Sequence, residues 1–206
     1  SMEPTLLVGD RIFVSKYTNG YSKHSFPFSP NFTNSRFFSE APNRGDLVVF
    51  KTPTDNRTDY IKRLIGLPGD SIQFINGNLY INEKKIIRKK IESSVKIRCG
   101  SYHLETNSFI EKLPNGIEHV AVYKTNGTMQ NTKKFLVPMK HYFLLGDNRD
   151  CSQDSRYLDT VGYVNNINLV GKAQIIFFSN DTKISSLLKF WNINKSFRLE
   201  RVFKKL

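Results

Sequence analysis

Three separate stretches of the sequence carry residues that could perform nucleophilic catalysis. Ser1 offers a hydroxyl, Lys62 offers an amine, and a polar cluster at residues 146–156 directly follows an apolar stretch. A serine hydroxyl is a weak nucleophile that needs an adjacent base, and a neutral lysine amine can be that base. The polar cluster could orient the amine, because a buried strand before it would hold its side chains in place.

Lys62 lies in a run of residues that alternates like a β-strand before Gly66. In a strand, alternate side chains point to the same face, so Tyr60, Lys62 and Leu64 share one. Burial among large apolar side chains removes water from the ammonium group; lowering its pKa from about 10.4 to about 8 corresponds to roughly 3 kcal/mol. The alternative is a lysine whose chain extends its charged end into water. The nucleophile and the polar cluster elsewhere in the chain favour the base.

Size and charge narrow the class of protein. A chain of 206 residues is long enough for one or two domains with a sizeable core. The formal net charge of +13 predicts an acidic neighbour, either nucleic acid or the anionic lipid of a membrane, and does not distinguish them. No stretch approaches the roughly 20 apolar residues of a membrane span, and no signal-peptide pattern opens the chain. The chain as given is expected to be soluble or peripheral.

Metal and disulfide chemistry receive little support from the sequence. Cys99 and Cys151 are far apart and match no metal-ligand spacing. A disulfide between them is possible, but the sequence does not show that they come within reach, so both are treated as free thiols. The histidines are scattered and form no ligand motif (His24, His103, His119 and His141). We expect no metal and no cofactor.

The hydrophobic pattern predicts a mainly β protein. Apolar alternation indicates strands at residues 11–16, 47–51, 60–65, 71–75, 79–81, 84–87, 119–124, 141–145 and 169–178. Between about 88 and 138 the composition turns polar, which predicts an insertion with its own small sheet and a solvated basic face. The predicted architecture is a β-sheet catalytic core, residues 1–75 and 141–206, with a smaller, non-catalytic β-rich domain inserted at 76–140.

Two aromatic segments could meet a membrane. The loop at residues 17–43 holds seven rings, which either pack on the core or form an apolar rim (Tyr17, Tyr21, Phe26, Phe28, Phe32, Phe37 and Phe38). The tail from Leu187 mixes aromatic with basic residues (Phe190, Trp191, Phe197 and Phe203). Such a tail is typical of an amphipathic, membrane-apposed end.

Four motifs in order resemble the sequence boxes of bacterial type I signal peptidase, a Ser/Lys protease that removes signal peptides from exported proteins. They are SMEPTLLVGDRIFVSK, RGDLVVFK, DYIKRLIGLPGD and GDNRDCSQDSR. They cover residues 1 to about 70 and about 141 to 175, and the middle matches only by position. The resemblance implies that Ser1 is the nucleophile and Lys62 the general base, with the Ser152 hydroxyl holding the lysine amine. It implies a signal-peptidase-like core that works without metal or cofactor.

The same resemblance assigns supporting and substrate-binding residues. Asp147 and Asp154 would pair with Arg63 and Arg156 to brace the loop; the alternative is ordinary surface ion pairs of little energy. Shallow pockets for small side chains would be lined by Met2, Leu6, Ile12, Val49, Tyr60 and Ile61. The implied cleavage follows an Ala-x-Ala type sequence. We expect the substrate to lie extended along a strand edge, where main-chain hydrogen bonds supply affinity.

The resemblance also implies a cellular setting. The partners would be signal-peptide-bearing pre-proteins and an anionic membrane surface, with the catalytic domain on the periplasmic side of the bacterial inner membrane and no nucleic acid. The family has Ser-Met directly before x-Pro-Thr-Leu, so Ser1-Met2 is interpreted as native sequence, not a cloning remnant. Members of the family also carry an upstream membrane anchor and an upstream hydroxyl. We expect the chain as given to be much less active than one extended upstream through the anchor. Cys151 departs from the asparagine more usual at that position.

Three other functions remain open. A basic β-domain could grip nucleic acid, with aromatic side chains stacking on bases. A self-cleaving repressor also uses a Ser/Lys pair, although no DNA-binding helical domain precedes the pair here. An amino-terminal nucleophile hydrolase would use the Ser1 amine as its base and make Lys62 dispensable. Substitution of Lys62 separates all three from the favoured interpretation.

Overall fold

The computed structural model describes residues 1–16, 41–124, 127, 130–180 and 197–206, with the backbone alone at 92–94. These residues form a mainly β protein, which confirms the predicted fold class. The strands are β1 (Asp10–Ser15), β2 (Leu47–Lys51), β3 (Asp59–Gly66), β4 (Ser71–Ile75), β5 (Asn78–Ile81), β6 (Lys84–Lys85), β7 (Ile87–Cys99), β8 (Tyr102–Lys112), β9 (Glu118–Lys124), β10 (Phe135–Leu136), β11 (His141–Leu145), β12 (Val164–Asn165), β13 (Leu169–Ser179) and β14 (Lys204–Lys205). Two 3-10 turns lie at Asn166–Asn168 and Leu199–Arg201.

The largest sheet brings together the two ends of the chain. Its order is β1-β13-β2-β3-β11-β12, with β14 also paired to β13, and the pairs in it are antiparallel. The strand β2 is buried because its run LVVFK is apolar on both faces. Val48 lies opposite Lys62, and Phe50 lies opposite Tyr60. Lys62 therefore projects from the face that carries Val48, Phe50 and Leu64, side chains of one buried core cluster.

One edge of β3 is only partly covered. On the side away from β2, the strand β11 pairs with β3 at Arg63, Leu64 and Gly66. The pairing recorded on that side begins at Arg63, so residues 59–62 present a strand edge next to Lys62. An extended peptide can add to such an edge.

A second, four-stranded sheet has the order β10-β4-β5-β6. Its Phe74 and Leu79 share a core with Ile65 and Phe143 of the large sheet, so the two sheets pack on each other. The boundary predicted between residues 75 and 76 falls inside the hairpin that pairs Ile75 with Asn78. The division into a catalytic core and an inserted domain remains a prediction.

The third sheet, β7-β8-β9, occupies most of the polar stretch that the sequence assigned to an insertion. Only the third of its strands, near residues 119–124, was anticipated individually. The first two form one long hairpin from Ile87 to Lys112. The third strand touches the polar cluster, since Val122 bridges to Asn148.

The predicted membrane-facing segments are described only in part. The rings of the loop at residues 17–43 lie outside the described residues, and so do Phe190 and Trp191 of the tail. Phe197 is half-buried, whereas Phe203 is 73% exposed. Within the described ranges, no helix has the length and apolar character needed to cross a bilayer.

Candidate active site

The fold brings Ser1 and Lys62 into direct contact. The Lys62 Nζ and the Ser1 Oγ are 2.8 Å apart, which is hydrogen-bond distance. Ser1 lies at the surface, whereas Lys62 is only 4% exposed. A peptide can therefore reach the hydroxyl while the amine behind it stays dry.

Burial shifts the Lys62 amine toward its neutral form. It lowers the pKa of Lys62 from 10.5 to about 8, because the ammonium form loses its hydration. The carboxylates of Asp154 and Asp147 act in the opposite direction, and the Arg156 cation adds to the lowering. The amine also lies 5.2 Å from the centre of the Tyr60 ring. At neutral pH roughly a tenth of the molecules carry the neutral amine that proton abstraction requires.

Ser1 and Ser152 both pack against Gly146. Ser152 is 4% exposed and lies near Asp154, whose pKa its hydroxyl helps to lower, but within the described residues its Oγ forms no hydrogen bond to the Lys62 amine. Gly146 leaves the space for this packing: a Cβ on it would overlap the Ser152 side chain and lie 2.6 Å from the Ser1 carbonyl oxygen. The backbone N–H of Asn148 donates to that carbonyl at 3.0 Å, which ties Ser1 to the cluster at 146–156, here called the catalytic loop.

The close packing at Gly146 leads to a first prediction. We expect Gly146→Ala to push Ser152 and Ser1 apart and lower kcat by about 100-fold, because a displacement of about 1 Å has that order of effect on a positioned reaction. Steady-state cleavage kinetics would measure this. Gly116→Ala is a control for alanine strain away from the site: its φ of +86° disfavours a side chain, so stability should fall, but kcat should not. A Gly146→Ala protein with unchanged kcat would contradict this account of the packing.

A buried ion pair joins the catalytic loop to β3. The Arg63 guanidinium donates two hydrogen bonds to the Asp147 carboxylate, at 2.8 and 2.7 Å, and one to the Gly45 carbonyl. The Thr5 hydroxyl donates to the same carboxylate. Burial opposes ionisation, but the Arg63 charge and these hydrogen bonds hold the pKa of Asp147 below its usual value. This pair is buried, unlike the surface pair considered as an alternative.

A second buried pair lies within the loop itself. The Arg156 guanidinium donates to Asp154 at 2.8 and 2.9 Å, and the Gly146 N–H donates to the same carboxylate at 3.1 Å. Against the effect of burial, the Arg156 charge keeps the pKa of Asp154 below its usual value. Arg156 also donates to the Arg149 carbonyl, so the pair fixes the loop backbone on both sides of Ser152.

A third buried network was missed by the sequence interpretation. Arg149 of the loop forms an ion pair with Glu111 of β8, at 2.7 Å, and contacts Tyr123 and His119 of β9. Arg149 and Glu111 have side chains 1% exposed. Although burial opposes it, the Arg149 charge keeps the pKa of Glu111 below its usual value. Arg149 lies in a recognised motif, but its partners lie in the polar stretch interpreted as a solvated face.

The cleft beside Ser1 has a volume of about 320 Å³. It is lined by Ser1, Asp59, Tyr60, Ile61, Lys62, Cys151 and Gln153. Of the six residues assigned to substrate pockets, four pack in one apolar cluster with Leu47 and Ala173: Met2, Leu6, Ile12 and Ile61. Val49 lies opposite Ile61 on the neighbouring strand. Tyr60 packs instead with the Lys62 face of the sheet.

The treatment of the cysteines as free thiols was wrong. Cys99 and Cys151 form a disulfide with a Cα–Cα distance of 5.5 Å, although 52 residues separate them in the sequence. The fold supplies this proximity, because the hairpin of β7 and β8 ends against the catalytic loop. The separation of two cysteines in the sequence does not predict the distance between their Cα atoms, which decides whether a disulfide can form.

Comparison with known proteins places these features in a family. The family model described as "Signal peptidase, peptidase S26" matches residues 1–178. The chain is 44% identical to the signal peptidase I of Rickettsia typhi and 43% identical to that of Rickettsia conorii, in each case over 100% of this chain and 82% of the relative. A signal peptidase I structure from Enterococcus faecalis is similar at 25% identity, with a TM-score of 0.37, over 65% of this chain and 97% of that one.

The match to the family covers most of the chain, and the relatives align along all of it at more than 40% identity. Both exceed what chance similarity produces, and both agree with the four motifs found in the sequence. The chain therefore belongs to the signal peptidase family, peptidase S26, and is a hydrolase of the signal peptidase I type.

Proposed function

We propose that this signal peptidase cleaves signal peptides from exported pre-proteins with Ser1 as nucleophile and Lys62 as general base, after small-x-small sequences of the Ala-x-Ala type. The observation that carries the proposal is the 2.8 Å contact between the Ser1 hydroxyl and a buried lysine amine. A hydroxyl and a neutral amine at this distance can exchange a proton directly.

The reaction proceeds by acyl transfer. Lys62 takes the Ser1 hydroxyl proton as Oγ attacks the scissile carbonyl carbon, and the resulting lysine ammonium gives its proton to the leaving amine. The signal peptide then remains as an ester on Ser1. A water molecule, activated by the neutral Lys62 amine, attacks the ester and restores the free hydroxyl.

Substrate orientation follows from the edge of β3 at residues 59–62. A signal peptide that adds to this edge as an extended strand would place its carbonyl beside Ser1 and alternate side chains against the apolar cluster. Met2 and Leu47 at the base of that cluster are 4% and 2% exposed, which leaves little depth. A shallow pocket favours alanine over larger residues, because each additional methylene would meet packed side chains.

The direct test is cleavage of a model pre-protein with Ala-x-Ala before the cleavage site. We expect Ser1→Ala to abolish turnover, and leucine in place of either alanine of the substrate to lower kcat/KM by at least tenfold. Full turnover by Ser1→Ala would refute the proposed nucleophile. Equal cleavage of the leucine substrates would refute the pocket assignment and leave the nucleophile intact.

Asp154 provides a test based on pH. The Asp154 charge raises the pKa of Lys62, so Asp154→Asn should lower that pKa further below about 8. Because the neutral amine is the active form, kcat/KM in wild type rises with pH through a midpoint near 8, and the midpoint in Asp154→Asn lies at lower pH. The pH profile of kcat/KM measures this. Asp159→Asn, on the surface, is the control; a shift to higher pH in Asp154→Asn would contradict Lys62 as the base.

Exposed apolar and basic side chains on the surface support binding of the protein to a membrane. Val8, Phe13, Leu199 and Phe203 are 53–75% exposed, and the Phe13 ring lies 4.5 Å from that of Phe177 on the paired strand. Basic residues accompany these apolar side chains in the same strands and turns, including Arg11, Lys204 and Lys205. We propose that this face rests on anionic lipid, on the periplasmic side. The disulfide supports that side, since disulfides persist in oxidising compartments.

Vesicle binding tests the membrane face. Burying a phenylalanine side chain stabilises by about 1.5–3 kcal/mol, so Phe13→Ser/Phe177→Ser should weaken partition onto anionic vesicles by at least tenfold. Leu136→Ser/Met139→Ser removes two apolar side chains that are more exposed, at and just after the strand β10 of the four-stranded sheet, and should change little. Equal losses in the two variants would contradict the assigned face. Tight, salt-sensitive binding to DNA that is unaffected by lipid would favour the nucleic-acid alternative.

A further inference from the structure

The tip of the β7–β8 hairpin reaches both sides of the active-site cleft. Cys99, the last residue of β7, is bonded to Cys151, which directly precedes Ser152 in the catalytic loop. One residue earlier, the Arg98 backbone N–H donates to the Glu3 carboxylate at 3.0 Å. Glu3 lies two residues after Ser1. A single hairpin tip therefore holds the segment that carries the nucleophile and the loop that faces the lysine.

On the loop side, the covalent bond is the strongest link. Cys151 lines the cleft together with Ser1, Lys62 and Gln153. At Cys151 and Gln153 themselves the hydrogen bonds are long, 3.3 Å from the Cys151 N–H to the Asn148 carbonyl and 3.4 Å from the Tyr60 hydroxyl to Gln153. Such long bonds contribute little to holding a segment in place. The neighbouring Asp150 carboxylate accepts a shorter one, 2.7 Å, from the Lys124 N–H. The disulfide restrains the short segment at 151–153, which lies between Asp150 and the Asp154–Arg156 pair that fix the loop on its two sides.

On the nucleophile side, the loop and Ser1 are joined directly. The Asn148 N–H donates to the Ser1 carbonyl at 3.0 Å. The contacts thus close a ring that runs from Ser1 through the loop to Cys151, across the disulfide to Cys99, and back through Arg98 to Glu3. The disulfide is the covalent link in this ring; without it the loop is held to the Ser1 segment by the Asn148 hydrogen bond and by that of Thr5 to Asp147.

We infer that the Cys99–Cys151 disulfide is a positioning crosslink for this peptidase, holding the catalytic loop against the Ser1 segment and keeping water away from Lys62. The inference rests on the proposed Ser1/Lys62 chemistry. Neither cysteine touches the reacting atoms, so the crosslink acts through Ser1, Ser152 and Lys62.

Reduction of the crosslink has two expected consequences. A dithiol reductant supplies two electrons and two protons, so the S–S bond becomes two thiols while the reductant closes to its own disulfide. Loop displacement of about 1 Å should lower kcat by roughly 10- to 100-fold. Water that reaches the amine should return the pKa of Lys62 from about 8 toward its ordinary value, so that the midpoint of the pH–rate profile moves up.

The experiment compares oxidised wild type, wild type treated with dithiothreitol, and the Cys99→Ser/Cys151→Ser variant. Circular dichroism establishes an assay temperature at which all three are folded. We expect the reduced wild type and the double variant to share the lower kcat, a smaller change in KM, and the raised pH midpoint. The double variant should respond no further to dithiothreitol.

Glu3→Ala opens the same ring on its other side while leaving the disulfide intact, and it should also lower kcat in the oxidised protein. It keeps the test decisive if the double variant does not fold. A lower Tm with unchanged kcat and pH midpoint, in the reduced protein and in Glu3→Ala, would overturn the inference and leave the crosslink purely structural. Failure of oxidised wild type to show Ser1-dependent cleavage would refute the proposed function instead.

Discussion

Lys62→Met should abolish cleavage and at the same time stabilise the protein. Methionine has nearly the length of lysine but carries no amine, so the general base is lost and kcat/KM should fall by about 10²–10⁴-fold. The folded protein also no longer has to bury an ammonium group. The difference between the pKa of 10.5 and the value of about 8 in the fold corresponds to roughly 3 kcal/mol at neutral pH. For a chain of 206 residues this raises Tm by roughly 6–12 °C.

The pH dependence of this stabilisation identifies its cause. Below pH 8 the amine is protonated in both the folded and the unfolded wild type, so the full cost is present. Between about pH 8 and 10.5 the unfolded chain binds more protons than the folded one, so wild-type stability rises with pH. The advantage of Lys62→Met should therefore be largest at pH 7 and shrink through that window.

Unfolding monitored at several pH values, together with cleavage kinetics, measures both halves of this prediction. Lys85→Met replaces an exposed lysine on β6 and should change neither stability nor turnover. Retained turnover in Lys62→Met would point to another base, such as the Ser1 amine. Loss of stability at pH 7 would mean that the Lys62 ammonium is well hydrated in the fold.

Sequence patterns predicted the features that depend on neighbouring residues in the chain, such as the strands and the faces of their side chains. Alternation alone placed Lys62 on a face with Tyr60 and Leu64, and the register of β2 adds Val48 and Phe50 to that face. The alternation is a reliable guide here because β3 is buried on the Lys62 face. Every second side chain of a strand points to that face, so every second residue must suit the core. The motifs then linked Ser1 to Lys62, which no periodicity could have done.

The prediction failed where polar residues are buried by tertiary contacts. In β8, Glu111 is buried whereas the neighbouring Lys112 is exposed, and nothing in their order distinguishes them. A charged residue is normally exposed, so the polar stretch was interpreted as a solvated face. Glu111 is buried because Arg149 arrives from the catalytic loop to pair with it. The disulfide was missed for the same reason, since its partners meet only once the long hairpin has formed.

Arg149→Met should cost about 3–5 kcal/mol of stability, the largest loss that we expect from a single substitution outside the apolar core. It leaves the Glu111 carboxylate buried without its cation, and breaking a buried pair on one side has that order of cost. Replacing both members, as Glu111→Gln/Arg149→Met, should cost less than Arg149→Met alone. Glutamine keeps an acceptor for the Tyr123 hydroxyl and carries no charge that needs a partner.

The pH dependence of unfolding shows whether the stability lost in Arg149→Met comes from the unpaired Glu111 charge. In wild type the Arg149 charge holds the pKa of Glu111 below its usual value, so this stabilisation is present at neutral pH and is lost as the pH falls toward the lowered pKa. In Arg149→Met burial is opposed only by His119 and the Tyr123 hydroxyl, so the pKa of Glu111 rises relative to wild type. The folded variant then gains a proton as the pH falls from 7, and its deficit relative to wild type should narrow.

Denaturant unfolding of the two single variants and the double variant, at pH 7 and pH 5, provides the thermodynamic cycle. A surface pair, Lys134 with Glu83, serves as the comparison: Lys134→Met should cost at most about 1 kcal/mol, because exposed pairs contribute little. Equal losses in Arg149→Met and the double variant would mean that the arginine stabilises by packing alone. The β8 strand would then not depend on charge for its attachment to the catalytic loop.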